Sequence, residues 1–284
     1  MRINTNIASL TAMESNIQVN KELTSSLEKL SSGLRINKAS DDASGLAIAD
    51  KLRTQANSIA QSIANGNSAV TLVQIADKAM AEQSNILDIV KQKLLQAGTA
   101  TTSAEGVEAI RKDVNKLLTQ LNSIAKQTNY NGISLLVASS DGTGAATAKT
   151  FLMGEKSTNT IVLASGVQAN TSGLGLDTFR EVSSAAGTLS NGNADDYLEL
   201  IDSALNTLNT WRSDFGSVQN QIESAIRNQM TQQTNIKAAE SVIRDVDYAA
   251  ESANFNKQNI IAQAGTFALS QSNQVQQNVL KLLQ

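Results

Sequence analysis

The chain has 284 residues with no cysteine, no histidine and no proline, aromatics at only 3% and a net charge of −3. Disulfides and thiolate metal sites are thereby excluded. The commonest acid–base group and transition-metal ligand is missing too, so neither an enzyme nor a metal or other cofactor is expected. With a pI near 5.2 there is no basic field for nucleic acid, and no run nears the roughly 18 apolar residues that span a bilayer.

The N-terminal segment carries apolar residues at Ile3, Ile7, Leu10, Ile17, Leu23, Leu27, Leu30 and Leu34, spaced by threes and fours with a slip near Val19. This spacing predicts a helix with one apolar stripe. Met1 to Leu10 lacks the cationic head and apolar block of a secretory signal. Asp41 and Asp42 stand just before the next helical run, where a carboxylate satisfies free backbone N–H groups. A cap is therefore expected there, as for Asp195 and Asp196, and not a carboxylate active site.

From about Ala43 to Gln96 a seven-residue row runs through Leu52, Ile59, Gly66, Val73, Met80, Leu87 and Leu94. It predicts a helix far longer than the usual globular one. A turn at Gly98 to Ser103 precedes Val107, Ile110, Val114, Leu117, Leu121 and Ile124, a second helix that folds back on the first. Asn129, Asn131 and Gly132 supply turn chemistry at its end.

Residues 138–192 are rich in Gly, Ser, Thr and Ala, with β-prone stretches at Thr150 to Met153 and Thr160 to Ala164. One or two hairpins on an exposed insertion are expected. No phosphate-binding glycine loop occurs there. From Asp195 the helical period returns through Ile201, Ala204, Leu208, Trp211, Phe215, Val218, Ile222 and Ala225, continued by Ile236, Ala239, Ile243 and Val246. Trp211 and Phe215 lie on the stripe and are expected to pack between helices. The last segment repeats the pattern at Ile261, Ala264, Ala268, Val275, Val279 and Leu282.

The expected fold is mainly α: a long antiparallel coiled-coil-like helical rod with small β-hairpins in the central segment and paired N- and C-termini. Its core includes Leu52, Ile59, Leu87, Leu94, Leu117, Leu121, Trp211 and Phe215. Charge-poor terminal helices of this kind are expected to bury their stripes against further copies, so that ordering and assembly are one event.

Several motifs then carry a resemblance. Leu30-Ser-Ser-Gly-Leu-Arg-Ile-Asn37 and Asp41-Asp-Ala-Ser-Gly-Leu-Ala-Ile48 are similar to the N-terminal signature of bacterial flagellin. Asn129-Tyr-Asn-Gly-Ile-Ser-Leu-Leu136, Arg212-Ser-Asp-Phe-Gly-Ser-Val-Gln219, Asp245-Val-Asp-Tyr-Ala-Ala-Glu251, Gln263-Ala-Gly265 and Asn273-Gln-Val-Gln-Gln-Asn-Val-Leu280 follow in that family's order.

The resemblance implies a structural subunit of the extracellular flagellar filament, exported through the type III channel and polymerised with many identical copies. Its partners would be the export apparatus, an export chaperone, and cap or junction proteins. The implied division is an inner-tube domain from 1–42 with 250–284, a helical shell from 43–137 with 190–249, and a short outer β-hairpin insertion at 138–189. The fourteen terminal apolar residues, Ile3 through Leu34 and Ile261 through Leu282, are the expected polymerisation interface.

The resemblance leaves one alternative function, an adaptor at the hook–filament junction. An enzymatic flagellin would need an HExxH helix, which a chain without histidine cannot form. Two departures from the family pattern stand out. In the segment that activating flagellins present to the host innate receptor, arginine, arginine and glutamate are replaced by Ile89, Lys91 and Gln92, so bidentate guanidinium contacts are lost. Gln276 stands where many relatives have proline, so the last helix is expected to run on to Leu282. Ser139, Ser140, Ser165, Thr171 and Ser172 are expected to be exposed positions open to O-glycosylation.

Overall fold

The computed structural model describes residues 6–138, 144–163, 166–184 and 194–282, with the backbone alone for 194, 195, 276 and 279–282. Its helices are α1 (Ile7–Ser32), α2 (Ala43–Ala97), α3 (Ala104–Gln127), α4 (Asp177–Ser184), α5 (Ala194–Arg244) and α6 (Tyr248–Leu282). Two short hairpins lie between α3 and α4, one of β1 (Asn129–Tyr130) with β2 (Ile133–Ser134) and one of β3 (Lys149–Leu152) with β4 (Thr160–Leu163). Contacts divide the chain into a terminal unit, residues 1–57 with 233–284, and a central unit, residues 58–232.

In the terminal unit each helix starts and stops for a local reason. Asn6 caps α1, its Oδ1 accepting the Ser9 N–H at 3.1 Å. Gly33 ends it in the left-handed region at φ 74°, donating its N–H to Lys29 O at 2.9 Å. Asp42 accepts the Gly45 N–H at 2.8 Å where α2 begins, and Asp41 accepts the N–H groups of Asn37 and Lys38 at 3.1 and 2.9 Å. Asp42 is thus the cap that the sequence suggested, whereas Asp41 clamps the turn before it. Asp247 opens α6 by accepting the N–H groups of Ala249 and Ala250.

The two connections of this unit are bonded to each other. Leu34 pairs with Asp245 as an isolated antiparallel bridge, with Arg35 N–H donating to Arg244 O at 2.6 Å and Val246 N–H to Gly33 O at 3.0 Å. Ile36 is buried beside them. Leu34 therefore lies outside α1, half-buried in backbone pairing, because Gly33 has already ended the helix.

The central unit is an antiparallel helical bundle. Lys93 pairs with Asp113 at 3.0 Å across α2 and α3, and Arg212 with Asp77 at 3.0 Å across α5 and α2. The seven-residue row of α2 runs down its centre: Ile59, Val73, Met80, Leu87 and Leu94 are all buried. Gly66 is in the same row because a Cβ there would lie 2.8 Å from Met153 Cε and 2.9 Å from Ile226 Cγ1. Leu121 and Phe215 are buried, while Trp211 is half-buried against the core. Leu117 is half-buried and Leu118 takes the central place, since a 3.6-residue turn rotates the stripe by that step.

The stretch between the hairpins and α4 departs from expectation. It is no exposed insertion throughout, for Met153, Leu163, Val167, Ala169, Leu174, Leu176 and Phe179 all belong to the core. Gln83, itself buried, donates to Ala169 O at 2.6 Å and to Leu121 O at 3.2 Å, and Asn122 accepts the Thr171 N–H at 2.9 Å. Thr171 is consequently buried and is no surface modification site, while Ser172 is exposed. Ser139, Ser140 and Ser165 lie outside the described residues.

Helix α4 was not anticipated either. Its eight residues bury Phe179 and Ser183, and Arg111 of α3 reaches it, with two nitrogens on the Glu108 carboxylate and a third donating to Ser183 O. The expected strands at 150–153 and 160–164 form the antiparallel pair β3 (Lys149–Leu152) and β4 (Thr160–Leu163). The Asn–Gly turn closes a further two-residue hairpin, β1–β2, in which Asn131 has φ 50° and Gly132 φ 78°.

Candidate assembly surface

Helices α1 and α6 run antiparallel and are joined by hydrogen bonds along their seam. Asn6 donates to Ser272 O at 3.3 Å, the Ser9 hydroxyl to Asn273 Oδ1 at 2.9 Å, and the Gln258 amide to Glu22 Oε2 at 2.8 Å. The Ser26 hydroxyl donates to the Glu251 carboxylate. On α1 the residues turned into this seam are Ser9, Ala12, Asn16, Val19, Leu23, Ser26 and Leu30, of which Ser26 alone is fully buried among the described residues. On α6 they are Glu251, Phe255, Gln258, Ala262, Gly265, Leu269 and Ser272.

Both rows alternate steps of three and four, the spacing of a coiled-coil seam. Polar residues such as Ser9, Asn16, Ser26, Gln258 and Ser272 share it with Val19, Leu23, Leu30, Phe255 and Leu269. Other large apolar residues lie outside it: Ile7, Leu10, Met13 and Ile17 are each more than half exposed on α1, and Ile260 and Phe267 are 67% and 73% exposed on α6. An open groove on α1 is lined by Leu10, Met13, Glu14 and Ile17.

The terminal residues singled out by periodicity therefore separate into groups. Leu23, Leu30 and Leu34 are half-buried within the unit. Ile7, Leu10, Ile17, Leu27, Ile261, Ala264, Ala268 and Val275 are exposed. Ile3 and the side chains of Val279 and Leu282 are outside what the structure describes. Met13, Ile260 and Phe267 belong with the exposed set and were missed, although Ile260, Ala264 and Phe267 keep the spacing of four and three.

A patch of this kind has a plain physical meaning. Large contiguous apolar surfaces on soluble chains mark places where something else binds. Each such side chain is worth about 1.5–3 kcal/mol once buried. The electrostatics add no competing chemistry: Asp41 is held below the ordinary carboxylate value by the N–H groups of Lys38 and Asn37, and Asp113 by Lys93. Lys38 is raised by its bond to Glu28.

In the receptor-related segment Ile89 is 42% exposed, Gln92 is exposed, and the Lys91 ammonium is engaged by Asp202. None of the described helices is long and apolar enough to cross a membrane.

Comparison with known proteins identifies the family. The bacterial flagellin N-terminal helical region matches residues 3–141, and the bacterial flagellin C-terminal helical region matches residues 198–283. The flagellin of Bacillus subtilis (strain 168) is 35% identical over the whole of both chains. The flagellar filament 33 kDa core protein of Treponema phagedenis is 32% identical, again over all of both. A crystal structure of Bacillus cereus flagellin is similar at 25% identity and a TM-score of 0.49, over 62% of this chain and 94% of that chain. With full-length relatives above thirty per cent identity and both helical regions matched in order, the chain belongs to the bacterial flagellin family.

Proposed function

We propose that the chain is a structural subunit of the extracellular flagellar filament, one of many identical copies that polymerise through the outward faces of α1 and α6. The observation that carries this reading is the set of large apolar side chains left exposed on the outward faces of the terminal hairpin. Burying the outward stripes against further copies supplies a driving force for assembly beyond that of the intrachain seam. Residues 1–42 with 250–284 would form the inner tube, 43–137 with 190–249 the shell, and 138–189 its outer hairpin region. Export through the type III channel, with a chaperone before assembly and cap or junction proteins at the filament ends, follows from the family. No catalytic step is assigned to any residue.

The hook–filament junction adaptor has no better support, because the full-length relatives described above are a flagellin and a filament core protein. The test is negative-stain electron microscopy of the full-length chain seeded at neutral pH, beside a version lacking α1 and α6 and the variant Leu10→Ser/Ile17→Ser/Phe267→Ser. Long filaments from the unaltered chain alone are expected. Monomers or short caps under every condition would overturn the filament reading and favour the adaptor.

A further inference from the structure

The seam between α1 and α6 poses a problem of register. Along α6 its residues fall into two seven-residue series, Glu251, Gln258, Gly265, Ser272 and Phe255, Ala262, Leu269. A slip of one heptad sets polar residues opposite polar ones again, so polarity alone does not choose between registers. Space does. Gly265 is the member of its series without a side chain, and a Cβ there would lie 2.9 Å from Asn16 Nδ2.

Asn16 has little freedom to move aside. Its Nδ2 points to Ala262 O at 3.5 Å, and its Oδ1 and backbone carbonyl both receive the amide of Asn20. A heptad slip in either direction would bring Asn16 against Gln258 or Ser272, whose side chains occupy the space that Gly265 leaves empty. The same slip would separate buried Ser26 from the Glu251 carboxylate.

We propose that Asn16 and Gly265 form the register lock of the terminal hairpin, and that they thereby position the outward stripes of α1 and α6 for neighbouring copies. A single polar residue at a seam position sets register in coiled coils by the same logic, excluding alternatives at some cost in stability. The consequence for assembly rests on the filament reading; the lock itself does not.

A chain without cysteine allows a clean test. In the full-length protein, Ser9→Cys/Asn273→Cys reports the observed register and Ser9→Cys/Thr266→Cys reports a heptad slip. The unaltered seam is expected to form the first disulfide in preference to the second. Gly265→Ala should lower that preference about tenfold, the equivalent of one lost polar contact. Gly265→Leu should abolish it, and Asn16→Ala, which fits opposite Gln258 or Ser272 as readily as opposite Gly265, should lower it too, a loss of selectivity with total linking retained that general unfolding would not produce.

Equal linking of both pairs in the unaltered chain would overturn the lock, as would undiminished preference in Gly265→Leu or in Asn16→Ala. Whether the unaltered chain polymerises is read separately by microscopy, so the lock and the filament reading fail independently.

Discussion

The two units of this protein use their apolar residues in opposite ways. In residues 58–232 the largest side chains, among them Met80, Leu94, Leu118, Phe179 and Phe215, are buried to completion or nearly so. In the terminal unit Ile7, Leu10, Ile17, Ile260 and Phe267 face outward, and the seam mixes Ser, Asn, Gln and Gly with Val19, Leu23, Leu30, Phe255 and Leu269, none of these apolar residues fully buried. A core of the first kind supplies its own folding energy. The second is completed only by something that covers the stripes, which fits a subunit whose last burial step is assembly.

The largest break in that comparison comes from truncating one side chain in each unit. Phe215→Ala removes a buried ring and should cost about 3–5 kcal/mol, seen as a lowered Tm of the monomer. Ile17→Ala, at a site 59% exposed, should leave the monomer within about 0.5 kcal/mol of the unaltered chain while slowing filament growth. Equal thermal losses would mean that the outward stripe is already buried in the monomer.

A second test concerns the surface of the central bundle. With Ile89, Lys91 and Gln92 in place of two arginines and a glutamate, and Lys91 engaged by Asp202, we predict weak or absent activation of the host flagellin receptor. Ile89→Arg/Lys91→Arg/Gln92→Glu should raise the response in a receptor reporter assay at least about tenfold, since charge-assisted bonds are worth about 1.5–3 kcal/mol each. Strong activation by the unaltered monomer at low concentration would defeat this reading.

The smallest expected effect is on acid stability, and it distinguishes the units by mechanism. Asp41 in the terminal unit and Asp113 in the central one both have pKa values lowered from an ordinary 3.8. A depressed carboxylate contributes its stability in full above the unfolded value and loses it as pH falls through the folded value, so both contributions fade below about pH 3.8. Salt should weaken the part due to Asp113, whose chief partner is the Lys93 ammonium, and spare that of Asp41, whose chief partners are backbone N–H groups. Acid titrations of stability at low and high salt, with Asp41→Asn and Asp113→Asn, would show it; salt sensitivity confined to Asp41 would refute the assignment.

Much of this was legible in the residues. The row from Leu52 to Leu94, the Asp42 cap, the Asn–Gly turn and the strands near 150 and 160 each rest on local spacing or on one residue's backbone preference, and local rules read them. Periodicity also found the exposed terminal residues, but it did not say which way they face. On α1 two stripes share the helix, and the periodic set joined members of both: Leu23 and Leu30 from the intrachain seam, Ile7, Leu10 and Ile17 from the outward face.

Helix α4 and the buried loop before it were illegible for a different reason. Val167, Ala169, Leu174, Leu176 and Phe179 follow no period, and their burial depends on Gln83 and Asn122, which are far away in sequence. The chain by itself determined helix lengths, their caps, the absence of thiol and imidazole chemistry, and membership in the flagellin family. Only the tertiary structure decided that Gly265 faces Asn16, that Thr171 is buried, and that Leu10 and Phe267 are left outside. Those outcomes depend on the space between elements distant in the chain, which no local pattern records.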